Sequence, residues 1–459
     1  MNKMIRVQKN INWILPLIIC SAFILCTAIG MFLYPDAFHK FFSPSRLFRA
    51  IPPVAPHKSY YWDVEAYAEM ALNASCKAFY PLWPFIIHNL FHPQTIEQAA
   101  HYFLLLSTVI FFVTNFLLFW VFQTALQRTY LAFWIMLAYT LNPMAIFRVI
   151  GYTESIFSFF STLFIWVCLP NSKINQNLKI GFIFIITFLM SLTRPILIQI
   201  FFASALTLIT IISLEILRSN RYSWQNLLVN LKKYQHETKM TVTIWVAALL
   251  GYSVYGSFCL KTRGNFFAPF DDQRLWGKSL GIHLEILLFP KSPLFDIIAF
   301  YLPLIILLLS LTFTYYKFSK QNNIMFLPRY NLWWSIFYLY PPVLIFIYVF
   351  NFIKSIKTKI NLSKINLPDY TNKLAINYIF WFSLYFTTAH SLINFFTFDR
   401  LMSLGRHILA TPFFFISLGY LYRCIPGKIK YQTLLFMTFV SALMLVQQWV
   451  NYGQDKWLG

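Results

Sequence analysis

The sequence predicts an all-α integral membrane protein, and three observations carry that reading. Apolar residues fill 58% of the 459 positions and charged residues only 11%, with a mean hydropathy of +0.59. The apolar residues gather into runs, many of which reach the roughly 18 residues that mark a membrane-crossing helix. The basic residues collect in a few connectors between these runs. A soluble chain of this length needs a polar surface, and this one lacks it.

In chain order the apolar runs lie near 11–34, 101–124, 128–147, 152–169, 178–193, 195–217, 240–260, 296–317, 331–353, 374–396, 405–422 and 431–450. Some are short, so ten to twelve spans are expected in one polytopic domain over 1–459. The first run follows Lys3, Arg6 and Lys9. It is long for a signal core and no small-x-small site follows, which favours an uncleaved span with a cytoplasmic N-terminus. Two longer intervals, 35–100 and 261–295, contain Trp, Pro and short helical patterns. They are expected to be structured outer loops lying along the membrane surface.

Charge sorts the two faces. Of 37 basic residues against 15 acidic, giving +22, many fall in connectors 218–239 and 354–373. Both connectors should be cytoplasmic, where the surplus meets anionic lipid. No basic patch lies on a foldable soluble domain, so nucleic acid is not an expected partner. Among the acids, only Glu215, Glu237 and Asp369 fall away from the segments assigned to the outer side. Acids barely influence topology, so that bias points to function there. Residues 317–329 and 354–373 are both basic but separated by one apolar run, broken at Tyr340-Pro341-Pro342. A re-entrant hairpin over 331–353 would return the chain to the same side. The six cysteines show no metal-ligand spacing and read as small buried hydrophobes rather than a disulfide framework.

Chemistry concentrates in a few polar interruptions. In "SYYWDVEAYAEMALNASCKAFYPLWPF" (59–85), Asp63 follows an aromatic trio that ends at Trp62. Helical spacing puts Glu65 and Glu69 on one face and Asp63 on another. Partly shielded from water, Asp63 would suit a general base; equally, it would suit an N-cap. Pro81 and Pro84 bracket Leu82-Trp83 just after Tyr80, a turn that shapes either a pocket or the start of an interfacial helix. In "LNPMAIFRVIGYTESIFSFF" (141–160), Tyr152 and Glu154 interrupt an apolar hairpin; ionisable residues there are functional candidates. Glu154 either faces a substrate or pairs with Arg148 to close the hairpin. Arg194 before Pro195, and Arg406 with His407 at the mouth of a span, would sit at the depth of a lipid phosphate, which arginine holds well. Plain headgroup anchoring is the other reading. Asp271-Asp272 has no further ligands nearby and is a weak metal signal; no metal is expected.

The order of three stretches resembles the PIG-V family of mannosyltransferases: "WDVEAYAEMA" with "AFYPLWPF", "NPMAIFRVIGYTES" and "GRHILATP". Val64 stands where the family usually has glycine, and Pro195 departs from its pattern after Arg194. The resemblance implies a GT-C-type multispan bundle whose extracytoplasmic loops hold the active site. It implies a glycosyltransferase that moves a sugar, mannose in the family, from a polyprenyl- or dolichyl-phosphate donor to a lipid-linked or cell-surface glycan, with inversion. Asp63 then corresponds to the base. Glu154 positions the acceptor or the loop; Arg194, Arg406 and His407 hold the donor phosphate. Trp62, Glu65, Tyr80, Pro81, Trp83 and Tyr152 line the acceptor pocket. No cofactor beyond the donor is implied. Partners are membrane lipids, donor and acceptor, with a membrane-protein subunit as a further expectation. The membrane would be plasma membrane in a bacterium or endoplasmic reticulum in a eukaryote. A transporter of a lipid-linked sugar and a non-catalytic scaffold are the alternatives.

Overall fold

The computed structural model describes residues 2–42, 63–73, 75–170, 172, 174–219, 232–288, 294–318, 376–398, 401, 403–424, 427–456 and 458. Among the described residues every regular element is helical. The first helices are α1 (Asn2–Leu33), α2 (Pro35–Phe42), α3 (Asp63–Asn73), α4 (Leu82–Phe91), α5 (Ile96–Leu126) and α6 (Thr129–Thr140). A 3-10 turn at Pro143–Arg148 leads to α7 (Glu154–Cys168), α8 (Gln176–Thr193), α9 (Leu197–Ser219) and α10 (Gln235–Arg263). Then come α11 (Ala268–Asp271), α12 (Leu284–Leu288), α13 (Leu294–Phe318), α14 (Tyr378–Thr397), α15 (Leu404–Leu409), α16 (Pro412–Cys424) and α17 (Gly427–Gly453).

Seven of these are long and apolar enough to cross a bilayer: α1, α5, α8, α9, α10, α13 and α17. Their outward faces expose Leu25, Ile185, Ile209, Val254 and Phe436. A soluble monomer could not leave so much apolar surface uncovered, whereas a bilayer covers it and the helices satisfy their own backbone groups. This is a multi-pass membrane protein. Helix α14 differs: it is buried over most of its length against α9, α13 and α16. The spans expected at 128–147, 152–169 and 405–422 are shorter helices, α6, α7 and the α15–α16 pair. Pro143 and Pro412 explain the breaks, since proline opens a helix but cannot sit inside one without losing a bond. The hairpin expected at 331–353 and the connector 354–373 lie outside the described residues.

The helix ends meet on two faces. At one, Arg423 of α16 donates to Gln127 just after α5 (3.3 Å), and Lys179 of α8 donates to the Leu169 carbonyl after α7 (2.9 Å). There too Lys233 pairs with Glu215 at 2.5 Å, joining α9 to α10. This is the basic face. At the other, Cys76 and Cys259 form a disulfide between the segment after α3 and the end of α10. That bond corrects the expectation of unpaired cysteines. The partners are 183 positions apart, so no local spacing announced them. Cys20, Cys26 and Cys168 are buried free thiols, as read.

Candidate functional site

On the disulfide face, five segments bring ionisable side chains together. Arg406, on the short helix α15, donates through Nη1 to Asp63 Oδ2 at 2.7 Å. Its Nε lies 3.2 Å from Glu154 Oε1. Arg194 Nη2 donates to the same Glu154 oxygen at 2.8 Å and to His407 Nδ1. The His407 ring stacks on His390 of α14, with centroids 5.8 Å apart. The result is a chain of contacts, Asp63–Arg406–Glu154–Arg194–His407. Because an arginine N–H points at Nδ1, that nitrogen accepts, and in the neutral ring the hydrogen sits on Nε2.

Local sequence explains each placement. Asp63 opens α3, where acidic residues are favoured beside free amides. Arg194 ends α8 in extended backbone (φ −153°, ψ 156°) because the residue before a proline is pushed out of the helical region. Glu154 opens α7 after a turn in which Gly151 has φ +91°, a conformation that side chains rarely adopt. Trp83 Nε1 donates to the Gly151 carbonyl at 2.9 Å, and the Gly151 amide donates to Ser107 Oγ at 3.1 Å. Asn142 accepts from the Met144 amide and donates to the Leu409 carbonyl at 3.1 Å, tying the 3-10 turn to the end of α15.

A cavity of about 340 Å³ opens beside this chain, lined by Asp63, Tyr67, Tyr80, Arg194, Lys278, Arg406 and His407 among others. A larger groove of about 650 Å³ adjoins it and carries Ile196, Leu197, Ile198, Phe270, Leu280 and Ile393. Arg194, Lys278 and His407 line both. Lys278 lies in the 261–295 loop and donates to Gln273 Oε1 at 2.7 Å. Burial, with the Arg406 charge adding to it, lowers its pKa to about 8. Three cationic side chains, Arg194, Lys278 and Arg406, and one carboxylate, Asp63, line the smaller cavity, with Glu154 buried behind them. A net positive wall favours an anionic ligand.

The sequence-predicted residues do not all reach the cavity. Asp63, Tyr80, Arg194, Arg406 and His407 line it. Glu154 is 0% exposed and sits behind the wall as the shared counter-ion of two guanidiniums. Tyr152 is buried, with the Arg406 guanidinium 5.1 Å from its ring centre, a cation–π support. Trp83 is the buried strut under Gly151, and Pro81 caps α4. Glu65 is partly exposed on α3 and is not among the lining residues. Trp62 lies outside the described residues. The Arg148–Glu154 pair, one of two readings of the hairpin, does not form. Arg148 is buried against the Tyr139 ring, 3.9 Å to its centre, and donates to the Tyr139 carbonyl. Lys278, Tyr67 and Gln273 were not foreseen, because nothing in the loop sequence separates them from other polar loop residues. Among the described residues no cluster of His, Cys, Asp or Glu has metal-binding geometry.

No protein-family model, curated protein or solved structure matches the chain.

Proposed function

We propose that the protein is a membrane glycosyltransferase that moves a sugar, mannose by the PIG-V resemblance, from a polyprenyl- or dolichyl-phosphate donor to a lipid-linked or cell-surface glycan. One observation carries the reading. Asp63 faces a cavity walled by Arg194, Arg406 and Lys278, and that cavity shares lining residues with a groove that is partly apolar, with Asp271, Arg274 and Gln199 also on its wall. A lipid phosphate fits this chemistry: an anionic head for the cations, a sugar beside Asp63 and a hydrocarbon chain in the groove. The Cys76–Cys259 disulfide supports placing the site on an oxidising, extracytoplasmic face. The basic residues on the opposite face support the same orientation.

In this reading Asp63 takes the proton from the acceptor hydroxyl. The acceptor oxygen attacks the anomeric carbon from the side opposite the phosphate, so the new glycosidic bond forms as the carbon–oxygen bond to phosphate breaks. Configuration inverts and the phosphate leaves with the electron pair. Arg194, Lys278 and the His407 Nε2–H stabilise that leaving charge, so phosphate needs no protonating acid. The incoming phosphate also competes with Asp63 for the Arg406 guanidinium, which couples donor arrival to release of the carboxylate. Glu154 keeps the two arginines charged and aimed.

The test is transfer by purified protein in lipid nanodiscs, supplied with a radiolabelled polyprenyl-phosphate hexose and a membrane-lipid extract as acceptor. A new labelled glycolipid with the wild type, and none with Asp63→Asn, supports the proposal. Recovery of intact donor on the other leaflet of a vesicle, with no new bond, would favour the transporter instead.

A further inference from the structure

The two cavity residues on α15 are held by a backbone turn, and the turn leans on a single acid. Asp296, in the first turn of α13, is 0% exposed. Its Oδ1 accepts from the Gly405 amide at 2.6 Å. The backbone amides of Ser403 and Leu404 face the same carboxylate. Among the described residues Asp296 forms no ion pair. A buried carboxylate without a cation is costly, so it leans heavily on the donors that do reach it. The donors here are main-chain amides of one turn, with Gly405 hydrogen-bonded to Oδ1, while Oδ2 has no hydrogen-bond partner among the described residues.

That turn is unusual in two further ways. Ser403 adopts left-handed backbone (φ 59°, ψ 15°), which a non-glycine residue holds only where its surroundings enforce it. Gly405 sits tightly: a Cβ there would lie 3.1 Å from Asp296 Oδ1 and 3.2 Å from Phe295 Cβ, so the neighbours would have to give by a few tenths of an ångström. Glycine lets the backbone approach the carboxylate without that displacement. Arg406 and His407 follow at once. Whatever fixes Gly405 therefore fixes the roots of both side chains, and through them the contacts to Asp63, Glu154 and Arg194.

We propose that Asp296 is a positioning residue for the cavity: its carboxylate clamps the bare backbone at Gly405 and thereby aims Arg406 and His407. The clamp itself is a statement about geometry; only its consequence for ligand binding rests on the phosphate reading above. A merely structural role would have Asp296 pack α13 against α15 without setting the cavity.

The experiment uses the full chain in nanodiscs, as wild type, Asp296→Asn and Gly405→Ala. Ser391→Ala is the control, losing a 3.3 Å bond from α14 to the Ala299 carbonyl of α13 while leaving the turn alone. Two readouts are taken: hydrogen exchange resolved at the residue 405 amide, and affinity for farnesyl phosphate. Asp296→Asn, which trades a charged acceptor for a weaker neutral one, and Gly405→Ala should raise exchange at the residue 405 amide and weaken farnesyl phosphate at least about fivefold, as small misplacements of binding groups do. Ser391→Ala should change neither. If Asp296→Asn does not accumulate, Gly405→Ala, which retains the acid, decides the matter alone. Unchanged exchange and affinity in a folded clamp variant would overturn the proposal, as would equal changes in the Ser391→Ala control. Should wild type itself fail to bind farnesyl phosphate, the phosphate reading falls, while exchange at residue 405 still decides the clamp.

Discussion

Arg406 meets Asp63 across 343 positions of sequence, Nη1 to Oδ2 at 2.7 Å, and so joins the mouth of a late helix to the start of α3. The same guanidinium leans on Glu154 and on the Tyr152 ring.

Asp63→Asn keeps the shape of the side chain but removes the proton acceptor. Transfer should fall by about 10²–10⁴-fold, the usual contribution of a positioned base. Expression and membrane insertion should match wild type, because Arg406 retains Glu154 as a counter-ion. Rates and melting temperatures from the same preparations check this; wild-type transfer by the variant would remove Asp63 from the mechanism.

Glu154→Gln should act mainly on stability. Glu154 is 0% exposed and balances two guanidiniums, so neutralising it leaves buried positive charge unpaired. The expected loss is about 3–5 kcal/mol, read as a lower melting temperature in detergent. A variant as stable as wild type would contradict the buried pairing.

The disulfide is testable by chemistry alone. Maleimide should label Cys76 and Cys259 only after reduction. Beyond the bond, Tyr255 donates to the Lys77 and Phe79 carbonyls at 2.6 Å each, so this clamp holds the segment that carries Ala78, Phe79 and Tyr80 into the cavity wall. The Cys76→Ser/Cys259→Ser double variant should lose about 2–4 kcal/mol of stability and part of its ligand affinity. Labelling of both thiols without reductant would exclude the bond.

Lys278 gives the site a pH dependence with a defined sign. With its pKa lowered to about 8, it is charged below that pH and neutral above it. Affinity for farnesyl phosphate should therefore decline as pH rises through about 8. Lys278→Gln should bind weakly at every pH and show a flatter profile between pH about 7 and 9. An unchanged slope would assign the titration to another group.

Much of the fold was legible in the sequence because hydropathy and the Lys/Arg bias act over local stretches. The helices long and apolar enough to cross, seven among the described residues against ten to twelve expected spans, and the basic face follow from such stretches. Asp63, Arg194, Arg406 and His407 also stood out, each a costly polar residue at the edge of an apolar run. Their partners did not. Local spacing assigns a residue to a face of its own helix and is silent about which helix opposes it. So the sequence offered Glu154 a substrate or nearby Arg148, whereas it meets Arg194 and Arg406, 40 and 252 positions away. Trp83 and Tyr152 were expected in the pocket from the family resemblance, yet they are buried behind the wall. The bond from Cys76 to Cys259 and the clamp from Asp296 to Gly405 are long-range closures of the same kind.

The most direct measurement of the central claim is mass spectrometry of lipid-linked and cell-surface glycans. Cells lacking the protein are compared after complementation with wild type or with Asp63→Asn. The account predicts one glycan short by a single hexose in the null cells, restored by wild type and not by the variant. Identical glycans in all three, or full restoration by Asp63→Asn, would contradict it.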